Sequence, residues 1–158
     1  MPRDPRKVAK RNIEPDAKYK SILVTKVINK VMLNGKKTLA TNLVYGALEQ
    51  MEKDTGKPAL EVLEQAIKNV SPMVQVRSRR IGGATYQVPM EVKGNRRLHY
   101  ALTWVRDAAR NRTGVSFDKA LAQELVDCYK NVGTAIKKRE DTHKMAEANK
   151  AFAHFARY

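Results

Sequence analysis

The chain has 158 residues, with 31 Lys plus Arg against 16 Asp plus Glu, a net charge of +15, and a single cysteine, Cys128. This length favours one domain, which buries about 68–70% of its unfolded surface and folds without a disulfide or structural metal. One thiol excludes an internal disulfide and a cysteine metal site, and the lack of an apolar run near ~18 residues excludes a membrane helix. The charge excess fits a phosphate-rich partner best.

Residues 1–18 carry Pro2, Pro5 and Pro15 and no apolar period, so they read as a flexible basic arm that orders on RNA. No apolar core of a signal peptide follows its basic residues, and a cytoplasmic location is expected. Residues 19–158 read as one helical domain. Leu23, Val27 and Val31, with Val24, Ile28 and Met32 beside them, mark a first helix. Asn34-Gly35 stops it. A second helix carries Leu39, Leu43, Val44, Ala47, Leu48 and Met51 on one face and ends at Thr55-Gly56. Pro58 suits the first turn of a third, striped by Leu60, Leu63, Ile67 and Val70 and closed by Pro72.

A two-stranded ribbon at about 73–90 follows. Two alternating runs flank Gly82-Gly83, a hairpin turn. The expected split is apolar against basic, with Val74, Val76, Ala84, Tyr86 and Val88 docking on the helices while Gln75, Arg77 and Arg79 face a ligand. The tip is expected to project. Leu98, Ala101, Leu102, Val105, Ala108 and Ala109 mark a fourth helix, and Phe117, Leu121, Leu125 and Cys128 a fifth behind Ser116. A sixth runs from about Thr134 toward His154 on a thin stripe of Ile136, Met145 and Phe152, with weak docking or projection expected. The fold class is therefore mainly α, about six helices with a protruding antiparallel β-ribbon.

No catalytic arrangement stands out. His99, His143 and His154 form no metal-spaced pair, no P-loop or nucleophile elbow is present, and Cys128 sits at a core-spaced position. Neither an enzyme, nor a cofactor, nor a metal is expected. Between Arg77 and Arg112 basic residues dominate, whereas Glu49, Glu52, Asp54, Glu61 and Glu64 cluster between residues 49 and 64. Polarised charge of this kind is the footprint of a one-sided nucleic-acid binder. On the fourth helix Arg96, His99, Thr103, Arg106 and Arg110 share one face. Lys36 and Lys37 sit where a helix start also favours anions. Arginine in the ribbon can fork onto phosphates and stack on bases. These features do not choose between DNA and RNA: a ribbon fits the DNA major groove, and also irregular RNA junctions.

The segment NVSPMVQVRSRRIGGATYQVP, from Asn69 to Pro89, resembles the signature of the bacterial-type S-seven family of small-subunit ribosomal proteins. Asn34 to Thr38, the stretch RRLHYALTWVRDAARNR from Arg96 to Arg112, and the closing HFARY are similar to that family too. The resemblance implies a primary binder of the 3′ major domain of small-subunit rRNA that starts assembly of the head. It implies a place near exit-site tRNA and leaving mRNA, neighbours among head and platform proteins, and possible repression of its own message. The rRNA contacts it implies are Arg3, Lys7, Lys10, Lys36, Lys37, Arg77, Arg79, Arg80, Arg96, Arg97 and Arg110. Nearest tRNA and mRNA it implies Arg79, Arg80, Ile81, Gly82, Gly83 and Ala84 of the tip, with Lys144 and Tyr158 of the C-terminal segment. The rival reading is a DNA-architectural protein with ribbon arms.

Overall fold

The computed structural model describes residues 12–157. Six α-helices, one two-stranded ribbon and a closing 3₁₀ helix follow in order: α1 (Ile22–Val31), α2 (Lys37–Thr55), α3 (Ala59–Val70), β1 (Val74–Ile81), β2 (Ala84–Glu91), α4 (Gly94–Asn111), α5 (Phe117–Tyr129), α6 (Thr134–Ala148) and the 3₁₀ helix (Lys150–Arg157). The mainly helical single domain with a ribbon agrees with the sequence pattern.

At the centre stands α5, which packs against α2, α3, α4 and α6. Its Ala120, Leu121, Ala122, Leu125, Val126 and Cys128 are all buried, so apolar side chains surround it as expected for a helix at the middle of a bundle. Burial also pushes the Cys128 thiol well above its ordinary range, consistent with an inert core position. Helices α1 and α4 close the bundle on one side, α1 through Val24, Val27, Ile28 and Val31 and α4 through Ala101, Leu102, Val105, Ala108 and Ala109.

One charge sits in this core. Glu124 on α5 is fully buried, and its Oε2 accepts from Arg112 Nε at 3.1 Å and from a terminal Arg112 nitrogen at 2.6 Å. Its Oε1 accepts from the Ala135 backbone N–H at 2.9 Å, holding the first turn of α6. The chain reaches that turn through Gly133, whose φ of +103° and 3.0 Å approach of an added Cβ to Asp127 Cβ leave room only for glycine. Buried charge is tolerated because both carboxylate oxygens are met.

Three expectations need correction. Leu39 is 55% exposed, because the inward stripe of α2 runs through Ala40, Val44, Ala47, Leu48 and Met51. The expected sixth helix ends at Ala148 rather than near His154. Met145 is exposed, and the chain folds back as a 3₁₀ helix onto β2. The third concerns the ribbon. Its Gly82-Gly83 turn takes positive φ at both residues, the two-residue hairpin geometry, which pairs Ile81 with Ala84 and so Arg79 with Tyr86 and Arg77 with Val88. Directly paired residues share a face. Arg77 and Arg79 therefore lie with Tyr86 and the buried Val88, while Val74 and Val76 lie on the other face with Arg80. No purely apolar and purely basic faces exist.

The helical side of the ribbon is braced twice. At its base Gln75 Oε1 accepts from the Tyr100 hydroxyl of α4 at 2.7 Å. Higher up, the Tyr86 ring packs on Phe152 and Phe155 of the 3₁₀ helix at 5.3 and 5.2 Å between centroids. Residues 12–18, assigned to the arm on sequence, lie along α1 and α2. There the Tyr45 hydroxyl donates to Asp16 at 2.8 Å, Thr25 Oγ1 donates to the Glu14 carbonyl at 2.9 Å, and Lys18 pairs with Glu49. The remainder of the arm lies outside the described residues.

Candidate nucleic-acid interface

Two helices, α1 and α4, build one basic surface. Lys26 and Lys30, one turn apart on α1, share a groove with His99 of α4, and Arg106 of α4 lies close enough to act on both Lys30 and His99, as Arg96 does on His99. Between them runs a groove of about 430 Å³, with Leu98 and Leu102 among its lining and Asn29, Asn95 and His99 at its polar positions. Such a mixture of apolar lining with a few polar and charged groups suits an organic ligand with a charged backbone. The electrostatics show how crowded the cations are. Burial, and then the nearby Arg106, lower the Lys30 pKa. His99 is lowered by burial, followed by Lys30, Arg106 and Arg96. The acid beside them is Asp107, whose Oδ1 accepts from Arg106 Nε at 2.7 Å.

The α4 face proposed on sequence thus exists, though its members are not equivalent. Arg96 is exposed and lies over the Tyr100 ring, 5.8 Å from the centroid. Arg110 is exposed but spends one N–H on the Val31 carbonyl at 3.1 Å, closing the C-terminus of α1. Arg97 points elsewhere, half-buried in a separate cleft that Lys144 also lines. Lys36 and Lys37 are exposed at the start of α2, where Lys36 holds the N-cap position and no side chain caps the helix. The free N–H groups there add to the positive field.

In the ribbon, Arg77 and Arg80 are exposed and Arg79 is half-buried beside the Tyr86 ring. The three arginines do not form one row: Arg80 faces away from Arg77 and Arg79. At the tip Gly82, Gly83 and Ala84 are exposed and Ile81 is half-buried. Lys144 is exposed on α6. Arg3, Lys7, Lys10 and Tyr158 lie outside the described residues.

Several groups escaped the sequence reading. Lys26 and Lys30 were visible as cations outside the apolar stripe of α1, but nothing local showed that α4 would lie against them. The Tyr100–Trp104 pair, at i and i+4 with centroids 5.6 Å apart, extends the Arg96 stack into a half-exposed column. Arg139 and His143 on α6 meet Asn69 and Met73 at the root of the ribbon. Their signal, a polar helix face, is common to any solvated helix. Among the described residues no cluster of His, Cys, Asp or Glu could hold a metal, and no helix is long and apolar enough to cross a membrane.

Residues 2–150 match the family described as ribosomal protein S7p/S5e. A small ribosomal subunit protein uS7 of Neisseria meningitidis serogroup C is 57% identical over 155 residues, 98% of this chain and 99% of its own length. Proteins of the same name from Neisseria gonorrhoeae and Bordetella pertussis are 57% and 56% identical over the same shares.

Proposed function

This chain belongs to the ribosomal protein S7p/S5e family, and from that premise we propose that it is a structural protein of the small ribosomal subunit in the cytoplasm, bound to the 3′ major domain of the rRNA. The observation that carries the reading is the groove between α1 and α4. A fold gains nothing by pressing Lys30, His99, Arg96 and Arg106 together with Asp107 as their nearby acid. A polyphosphate strand relieves that repulsion and releases its own counterions. Lys26, Lys30, Arg96, His99 and Arg106 form the centre of the contact. Lys36, Lys37, Arg77, Arg79, Arg80 and Arg110 extend it, with Arg97 on the adjoining cleft and Arg3, Lys7 and Lys10 joining from the N-terminal segment.

On this reading the protein helps start assembly of the head, with neighbouring head and platform proteins as further partners. The tip, Arg79 to Ala84, lies nearest exit-site tRNA and leaving mRNA, as do Lys144 and Tyr158. The same surface accounts for repression of its own message, if that message copies the rRNA fold. A competition gel shift at fixed salt tests the core of the reading. A transcript of the 3′ major domain should displace duplex DNA from the protein by at least an order of magnitude in affinity, about 1.4 kcal/mol. Equal affinity would favour the DNA-architectural rival and sink the ribosomal one.

A further inference from the structure

The closing 3₁₀ helix, Lys150–Arg157, is long for its kind. Runs beyond about four residues are uncommon, because 3₁₀ hydrogen bonds are poorly aligned. Nothing in its sequence, KAFAHFAR, opposes an α-helix: it holds no Gly, Pro or β-branched residue. Its burial follows a three-residue period, with Phe152 and Phe155 half-buried and Ala151, Ala153 and His154 exposed. At i and i+3 the two rings lie nearly parallel, 6.4 Å apart, and both pack on Tyr86 of β2. Contact with the ribbon, rather than local preference, selects this form.

The same residues have a second apolar arrangement. Continued as an α-helix, α6 would align Met145, Ala148, Phe152 and Phe155 at i, i+3, i+7 and i+10, on one face. In the docked form Met145 is exposed and that stripe is broken. Asn149 stands at the junction. Its backbone N–H makes a last α-type bond to the Met145 carbonyl at 3.2 Å, and its Nδ2 donates to the same carbonyl at 2.8 Å. Its own carbonyl accepts from the Phe152 N–H at 2.9 Å, the first bond of the 3₁₀ ladder. The two forms exclude each other at Phe155. Over the five steps from Lys150, an α-helix turns about 100° less and rises about 2.5 Å less than a 3₁₀ helix, which takes the ring off Tyr86.

We propose that residues 149–157 are a two-state strap with Tyr86 as its latch. Docked as a 3₁₀ helix, the strap braces the upper ribbon. Run on as the last turns of α6, it leaves the ribbon held at its base by the Tyr100–Gln75 and Met73–His143 hydrogen bonds. The coupling is reciprocal: a change that favours the α form loosens the ribbon, and a change that removes the latch favours the α form. The strap therefore sets, from the far end of the chain, how firmly the ribbon is aimed. It goes beyond the RNA-binding reading, since no ligand takes part in it.

Magnetic resonance on the isotope-labelled full chain tests both directions. The wild-type chain should show proximity contacts from the Tyr86 ring to the Phe152 and Phe155 rings, with i to i+2 contacts between α-protons and amides across residues 150–157. Asn149→Ala removes the side-chain bond at the junction and favours the α-helix. It should weaken the ring contacts, bring in i to i+4 contacts over residues 146–154, and quicken amide exchange several-fold over residues 78–87 relative to residues 74–76. Tyr86→Ala, a change on the ribbon, should bring in the same i to i+4 contacts from the other side. Unmoved α5 resonances verify that the bundle is intact in each variant. Ring contacts at wild-type strength in Asn149→Ala overturn the proposal. So does the absence of i to i+4 contacts from either variant, which makes the segment a frayed tail rather than a second helix. Unchanged exchange in the upper ribbon beside a formed α segment overturns the coupling.

Discussion

Glu124 and His143 hold the polar joints of this molecule. Glu124 joins three segments through one carboxylate: the end of α4 by Arg112, α5 by its own backbone, and α6 by the Ala135 N–H. Glu124→Ala leaves Arg112 and that N–H without their shared acceptor, and should cost about 3 kcal/mol in chemical denaturation. His143 makes the corresponding joint between α6 and the ribbon. Burial, then Arg139 and Arg97, hold its pKa below the ordinary histidine value, so the folded state prefers the neutral ring. The unfolded chain then binds more protons as pH falls below about 6.5, and stability contributed above that pH is lost on the way down through the folded pKa. Thermal melts should show this acid-side loss. His143→Gln keeps an acceptor for the Met73 N–H and should flatten the dependence to what His99, lowered in the same direction, contributes.

At the scale of elements, the helices were legible wherever one apolar stripe met one packing partner. α1, α3 and α4 bury most of the residues their periods point to, while Leu23, Met32, Leu60 and Leu98 are half-buried against the core. Leu39 misled because Leu39 and Leu43 align at i, i+4 as convincingly as Ala40 and Val44 do. Only the close approach of α2 to α5, where Gly46 comes within 3.7 Å of Asp118 Cβ at the position of an added Cβ, favours the alanine face. The ribbon holds a different lesson. Alternation within each strand was visible, but which residues share a face depends on the turn. A two-residue turn pairs Ile81 with Ala84, so even-numbered positions of one strand lie with odd-numbered positions of the other. Gly82-Gly83 carries that signal, since two glycines at positive φ specify a two-residue turn. The 3₁₀ helix was illegible because its partner, Tyr86, is remote in sequence. Phe155→Ala removes one aromatic pair of that contact, worth about 0.5–1.5 kcal/mol beyond area burial. Hydrogen exchange over residues 150–157 should quicken sharply while α2, α3 and α5 stay protected. Equal protection in the variant would show that the segment is held by something other than the ring cluster.

Across the whole molecule, exposed charge is divided between elements. Glu49, Glu52, Asp54, Glu61 and Glu64 are all exposed on α2 and α3, whereas the exposed arginines Arg77, Arg80, Arg96 and Arg110 lie on the ribbon and α4. If about eight phosphates are neutralised there, log K for the 3′ major domain transcript should fall with log salt at a slope of about −7. Lys36→Ala and Lys37→Ala should each reduce the slope by about one, and unchanged slopes would remove the α2 start from the contact. The placement of the 3₁₀ helix has a consequence in time as well as in space. Chains are made from the N-terminus, and folding follows that order. The ribbon leaves the synthesising ribosome well before Phe152 and Phe155 exist, so a growing chain carries Tyr86 bare and the hairpin loosely held. The upper brace of the ribbon is therefore completed only by the last residues to be made, and a chain ending before residue 150 keeps the Gln75–Tyr100 brace at the base but lacks the ring cluster on Tyr86.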